Sequence, residues 1–184
     1  MIGVAKTGSG KTLAFVVPAL RHALAQPPIG PDDGPLVIVL APMRELAMQL
    51  YEETRRFGSA VGLRVVPVYG GAPIAEQIAG CKSRPHVIVG TPGRMIDLMA
   101  LNGGKVLRLN RASMLVLDEA DRMFDMGFGP QVEQVVSLMR PDKQAVLFSA
   151  TFPEHIVKLA REMLIDPVEV VVGGGKSVAS DAVR

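Results

Sequence analysis

Short apolar runs recur along the chain with longer mixed segments between them. Leu36 to Leu40, His86 to Val89, Met114 to Leu117, Ala145 to Phe148 and Val168 to Val172 are rich in β-branched side chains. Continuous runs of this length are what buried parallel strands require. Arg64 to Tyr69 is a weaker member, because Pro67 lacks the N–H a central strand needs and points to an edge or a bulge. The intervening stretches carry apolar residues at three- and four-residue spacing, the signature of amphipathic helices. They are Thr12 to Leu24, Glu45 to Phe57, Met95 to Leu101, Pro130 to Met139 and Glu154 to Leu164. Pro18 predicts a kink in the first of these. The alternation predicts an α/β domain, a mostly parallel sheet flanked by helices on both faces with right-handed crossovers. Gln26 to Pro35 reads as a loop by its Pro, Gly and Asp content, and Gly173-Gly174-Gly175 opens a tail or linker.

Polar, Gly-rich or acidic clusters follow the apolar runs directly. KTGSGKT follows Val4-Ala5, PMRELA follows the run ending at Leu40, and Gly70-Gly71 follows Tyr69. GTPGR follows Val89, Asp118-Glu119-Ala120-Asp121 follows Leu117, and Ser149-Ala150-Thr151 follows Phe148. In an open parallel sheet the carboxyl ends of the strands form the binding crevice, so six clusters predict one composite site on one rim.

Composition narrows the classes. Of 184 residues, 48% are hydrophobic and 21% charged, values of a globular chain long enough to bury a core. The 20 basic and 18 acidic side chains leave a net charge of only +2, so affinity for nucleic acid must come from local groups. Cys81 is the only cysteine, which excludes a disulfide framework and suits a reducing, intracellular compartment. The apolar runs are too short to span a membrane, and the first residues lack the layout of a signal peptide. His22, His86 and His155 show no ligand spacing with each other or with Cys81 and read as surface or loop residues. The ten methionines read as core filler.

Ala5 to Thr12, AKTGSGKT, follows the phosphate-loop pattern with Ala5 in place of the first glycine. Gly8 and Gly10 let backbone N–H groups turn inward around phosphate oxygens, and the following helix points its positive end there. Lys11 would reach the β- and γ-phosphates, and the Thr12 hydroxyl would ligate Mg²⁺. Gly175-Lys176-Ser177 is a decoy, without a leading glycine or a following apolar helix. Asp118, at a strand end, suits the water shell of a Mg²⁺ ion, and Glu119 suits orienting or deprotonating an attacking water. A solvated acidic turn or helix N-terminus is the plainer alternative for the same residues. Arg44, Gly70, Gly71, Thr91, Gly93 and Arg94 make up the rest of the rim. Hydroxyls, backbone N–H groups and arginines grip a phosphate backbone without reading sequence. The alternative is that they are loop glycines and surface arginines in ion pairs. With no Trp, two Tyr and six Phe, no aromatic platform for stacking bases is evident.

AKTGSGKT, PMRELAMQ, GG, TPGR, DEAD and SAT occur in the order and spacing of the DEAD-box RNA helicases, and together they run from Ala5 to Thr151. The chain resembles the first of that family's two RecA-like domains. The resemblance implies that Thr7, Gly8, Ser9, Gly10, Lys11 and Thr12 with Asp118 bind ATP and Mg²⁺, and that Glu119 positions the hydrolytic water. It implies that Asp121 with Ser149 and Thr151 couples hydrolysis to RNA release. Arg44, Gly71, Thr91, Gly93 and Arg94 lie where the family holds the RNA sugar–phosphate backbone. GVAKTGSGKT, LRVVPVYGG, TPGRMIDLMA and DEADRMFDMGFGPQV, together with Lys6, are similar to the pre-mRNA-splicing DEAD-box ATPases of early spliceosome assembly. That subgroup implies a nuclear protein with spliceosomal partners; other members of the family would be cytoplasmic.

Met43 departs from the family, which usually carries Thr there. By the resemblance, the upstream segment that reads adenine and the second RecA-like domain with its arginine fingers lie outside this sequence. Residues 1–172 are therefore expected to form an N-terminally truncated ATP-binding domain, and 173–184 a linker or tail toward the second. The leading expectation is the ATP- and RNA-binding first domain of an ATP-dependent RNA helicase, an enzyme, with the fragment alone nearly inactive. The alternatives are another P-loop NTPase, or a non-catalytic module that binds RNA or protein. The guanine-reading N-K-x-D of a GTPase is not evident.

Overall fold

The computed structural model describes residues 1–5, 9–151, 153–164 and 166–172, with the side chains of Glu154, His155, Leu159 and Glu162 outside the description. The first part of the phosphate loop, including Thr7 and Gly8, lies outside the described residues, as do Lys6, the decoy triplet and the tail from residue 173.

Seven strands form one sheet: β1 (Ile2–Ala5), β2 (Val37–Leu40), β3 (Val65–Val68), β4 (Val87–Gly90), β5 (Met114–Leu117), β6 (Gln144–Ser149) and β7 (Glu169–Val172). Their spatial order is β3-β4-β2-β5-β6-β1-β7, and every pairing is parallel. The α/β expectation is borne out, including β3 at an edge, where the missing N–H of Pro67 interrupts no second ladder. β7 differs from a buried strand. It forms the other edge, with Val168, Val170 and Val172 exposed.

Among the described residues seven helices connect the strands: α1 (Lys11–Leu24), α2 (Arg44–Ala60), α3 (Ile74–Lys82), α4 (Pro92–Ala100), α5 (Ala120–Asp125), α6 (Gly129–Ser137) and α7 (Glu154–Met163). A 3₁₀ turn, Leu101–Gly104, follows α4. Because strand side chains alternate, each central strand feeds two cores. Val37, Val39, Val87, Val89, Met114 and Val116 face α1 and α2. Ile38, Leu40, Ile88, Leu115 and Leu117 face the layer that holds α3 to α7. The result is three layers, with buried Val and Leu side chains each contributing about 1.5–3 kcal/mol. α1 runs through Pro18 as one helix. Pro18 lies on its exposed side, so the carbonyl it leaves without a helical partner can meet water.

His22 departs from the surface-or-loop expectation. It sits half-buried within α1, with its Nε2 2.8 Å from the Ser113 hydroxyl. His86 Nδ1 accepts the Arg64 backbone N–H at 3.0 Å.

Candidate functional site

All six clusters stand at the carboxyl ends of strands, hence on one rim, and the strand order sorts them into two neighbouring groups. β5, β6 and β1 carry the phosphate-loop and acidic groups, whereas β3, β4 and β2 carry the glycine and arginine groups.

The first group centres on an ion pair. α1 begins at Lys11, and its N-cap is Gly10 at φ 83°, a left-handed conformation that glycine adopts without a Cβ penalty. Among the described residues no side chain caps this end, and the first turn carries no acid, so its N–H groups and positive dipole suit an anion. Lys11 is 8% exposed and its Nζ lies 3.1 Å from Asp118 Oδ1. Asp118 is fully buried just after β5; its Oδ1 also accepts the Glu119 N–H, while Oδ2 has no partner among the described residues. Burial pushes the Asp118 carboxyl above its ordinary range, against the pull of Lys11 and the Glu119 N–H. A buried carboxylate oxygen without a partner is costly, and a hydrated divalent cation is the kind of ligand that satisfies it. Among the described residues no cluster of three acidic, His or Cys side chains could hold a metal by itself. A cavity of about 370 Å³ borders these groups, lined by Gly10 to Leu13, by α2 through Gln49 and Glu53, and by Asp118 and Glu119.

Glu119 occupies φ 52°, ψ 52° as N-cap of α5, a left-handed conformation unusual for a non-glycine residue. Such strain, on the order of 1–3 kcal/mol, gathers at working sites. Its carboxylate lies 3.9 Å from Arg122. Two residues further, Asp121 bridges to β6. Its backbone N–H donates to the buried Ser149 hydroxyl at 3.2 Å. Its Oδ2 accepts from the Thr151 hydroxyl at 2.8 Å and the Thr151 N–H at 3.1 Å. Burial raises the Asp121 pKa, but the hydrogen bonds from Thr151, Arg122 and Ser149 outweigh it and hold the carboxyl below its ordinary range.

The second group gathers around the loop between β3 and α3. Arg44, first residue of α2, donates from Nη1 to the Gly71 carbonyl at 2.8 Å and lies over the Tyr69 ring at 5.5 Å. Arg94, in the first turn of α4, donates to the Ala72 carbonyl at 3.1 Å and lies 3.5 Å from Asp97. Gly71 has φ +74°, and a Cβ there would stand 2.8 Å from Arg44 Nη1. Thr91 is the N-cap of α4 and is nearly buried, with its N–H donated to Val68. Gly93 has open space where a Cβ would be. The sequence pattern did not single out Gln77 or the carbonyls of Tyr69, Gly71 and Ala72, because carbonyl partners leave no mark in residue type. The one available signal is a glutamine among the apolar positions of a short helix.

A family model for the DEAD/DEAH box helicases matches residues 1–159. The chain belongs to that family. Relatives of this helicase-family chain include the pre-mRNA-processing ATP-dependent RNA helicase PRP5 of Meyerozyma guilliermondii, 59% identical over 98% of this chain and 21% of the relative. The probable ATP-dependent RNA helicase DDX46 of Danio rerio is 55% identical over 98% of this chain and 18% of the relative. The chain thus spans about a fifth of the length of these curated relatives. Among solved structures, the yeast DEAD-box splicing factor Prp28 superposes with a TM-score of 0.85 at 35% identity, over 95% of this chain and 41% of that one. A DEAD box protein from the hyperthermophile Methanococcus jannaschii gives 0.80 at 35% identity, over 92% and 44%. The all-parallel, helix-flanked sheet is the RecA-like architecture of this family.

Proposed function

We propose that this chain is the ATP- and RNA-binding first RecA-like domain of an ATP-dependent RNA helicase that couples ATP binding and hydrolysis to RNA remodelling in pre-mRNA splicing. The observation that carries the reading is the buried Lys11–Asp118 pair with Asp118 Oδ2 left unpartnered, at an uncapped helix start on the rim that also bears Arg44 and Arg94. The names of the pre-mRNA-processing helicase PRP5 and of the splicing factor Prp28 supply the splicing context, and with it a nuclear location and spliceosomal protein partners. Residues 1–172 form the domain, and 173–184 lead toward a second RecA-like domain.

In this reading Ser9, Gly10, Lys11 and Thr12, with Thr7 and Gly8, cradle the triphosphate. Thr12 and Asp118 hold Mg²⁺, which when bound neutralises charge on the β- and γ-phosphates. Lys11 exchanges its contact with Asp118 for phosphate oxygens. Glu119 holds the attacking water and accepts its proton; its left-handed backbone turns it out of the line of β5. Asp121 reports the state of the site to Ser149 and Thr151 through its hydrogen bonds. Arg44, Gly71, Thr91, Gly93 and Arg94 grip the sugar–phosphate backbone of single-stranded RNA, through charge and N–H donors that are blind to sequence. The test is phosphate release by the full-length protein with homopolymer RNAs and with DNA. Stimulation by every RNA homopolymer and weaker stimulation by DNA is expected. Turnover indifferent to RNA, or dependent on one base, would overturn the proposal.

A further inference from the structure

The loop joining β3 to α3 is held by three side chains from three helices, of which only two are arginines of the motifs. Arg44 of α2 takes the Gly71 carbonyl and Arg94 of α4 takes the Ala72 carbonyl. The third is Gln77, one turn into α3, whose Nε2 donates to the Tyr69 carbonyl at 2.9 Å. With these three carbonyls captured, the N–H groups of Gly70, Gly71 and Ala72 take no partner among the described residues. Gly70 has open space around its Cα, and Gly71 is exposed. Successive free N–H groups on a turn with a left-handed residue make a concave donor surface suited to phosphate oxygens.

Gln77 is only 6% exposed, and its Oε1 is buried without a hydrogen-bond partner among the described residues. A glutamine placed for packing stability would not leave one end of its amide unsatisfied, since an apolar side chain of the same length fills the space without that cost. Its neighbours in the buried face of α3 are ordinary core contacts, with Cys81 in the apolar cluster and Gly80 against Val66. What the amide alone provides is a donor aimed at Tyr69, immediately before the two glycines. Those glycines are the residues least able to fix their own backbone.

We propose that Gln77 is a positioning residue for RNA, the third arm of a clamp that sets the Gly70–Ala72 N–H groups to receive the RNA sugar–phosphate backbone. The inference rests on the functional reading above, in which this loop faces RNA. It assigns Gln77 no contact with nucleotide and no part in hydrolysis. Arg44 and Arg94 thereby act on RNA in two ways, by their charge and by the carbonyls they hold inward.

The test is RNA-stimulated ATP hydrolysis by the full-length protein carrying Gln77→Met, with Gln77→Leu as a second variant. Methionine keeps the length of the side chain and deletes both the donor and the unsatisfied oxygen, so the melting temperature should not fall. The RNA concentration giving half-maximal stimulation should rise roughly fivefold to tenfold, the order of one positioning hydrogen bond. The kcat at saturating RNA and the KM for ATP should stay at wild-type values. In Arg44→Ala the further effect of Gln77→Met should shrink, because both hold one loop. Unchanged RNA dependence in both variants, with wild type RNA-stimulated, would overturn this inference alone. A fall in melting temperature together with a rise in the ATP KM would make Gln77 a packing residue and overturn it too. If the wild-type protein turned over ATP without regard to RNA, the functional reading would fall and the inference with it.

Discussion

Replacing Lys11 by methionine in the 184-residue chain tests the buried Lys11–Asp118 pair at the start of α1. Methionine keeps an unbranched stem and deletes the charge. Lys11 is 8% exposed, Asp118 0%, and the two are 3.1 Å apart. Removing one partner of such a pair leaves an uncompensated buried charge, at a cost of about 3–5 kcal/mol. The carboxyl can escape only by binding a proton. For an ordinary aspartate with a pKa of about 3.9, holding that proton at pH 7 costs about 4 kcal/mol, and at pH 5 about 1.5 kcal/mol. Burial already pushes Asp118 upward in the native protein, so part of this penalty is present beforehand. The net loss in Lys11→Met should therefore be about 2–4 kcal/mol at pH 7. The sign follows from linkage. The folded variant holds a proton that the unfolded chain releases, so its stability falls as pH rises from the unfolded pKa to the raised folded one, and levels off above it. Urea denaturation at pH 7 and pH 5 reads this directly, with the deficit shrinking to about 1 kcal/mol at the lower pH. Lys11→Met/Asp118→Asn, with no charge left to desolvate, should recover most of the loss. An equal deficit at both pH values, or a double variant no more stable than the single one, would refute the reasoning.

In the full-length protein Glu119→Gln should leave nucleotide affinity intact and slow hydrolysis by about 10²–10⁴-fold, the worth of general-base help; single-turnover phosphate release decides it. Thr151→Val deletes the 2.8 Å hydroxyl bond to Asp121 and should lower strand separation severalfold more than ATP hydrolysis, as read with a labelled duplex. Gly71→Ala sets a Cβ at φ +74° and 2.8 Å from Arg44, a strain of about 1–2 kcal/mol. Urea denaturation should therefore show a loss of stability of about 1–2 kcal/mol relative to wild type.

The centre of the sheet was legible because β2, β4 and β5 are buried on both faces and so leave continuous apolar runs in the sequence. β2, β4 and β5 fall within a residue of their apolar runs. The helices that escaped notice lack such a mark. In α3 the buried positions are Gln77 and Cys81, and Gly80 packs on Val66, so no apolar stripe appears. α5 is six residues with only Ala120 and Met123 buried, and its acidic residues read as a turn. α4 begins at Pro92, three residues before its apolar periodicity starts, because proline is suited to the first helical position. The clusters of the site were visible as residue types after strands. Their partners were not, since Arg44, Arg94 and Gln77 all bond to backbone carbonyls, and Ser149 accepts a backbone N–H.

The division of the rim follows from strand order rather than from chain order. Along the sequence the glycine and lysine cluster after β1 comes first, three glycine and arginine clusters after β2, β3 and β4 follow, and two acidic or hydroxyl clusters after β5 and β6 close the series. The crossovers then place β3, β4 and β2 side by side and β5, β6 and β1 beside them. At about 4.8 Å per strand, six adjacent strands make a rim about 24 Å wide, with each group confined to half of it. α2 belongs to both halves. Its first residue, Arg44, holds the Gly71 carbonyl, while Leu46, Gln49, Leu50 and Glu53 wall the cavity beside Lys11 and Thr12. From Arg44 to Glu53 is nine residues, about 14 Å of helix. Its buried face, Ala47, Leu50, Thr54 and Gly58, sits against the sheet and α1, with a Cβ on Gly58 brought within 3.0 Å of Val65 and 3.4 Å of Leu20. A helix packed that closely transmits displacement as a unit rather than absorbing it. α2 thus links the wall of the cavity beside Lys11 to the glycine loop that Arg44 holds, as one closely packed element spanning both halves of the rim.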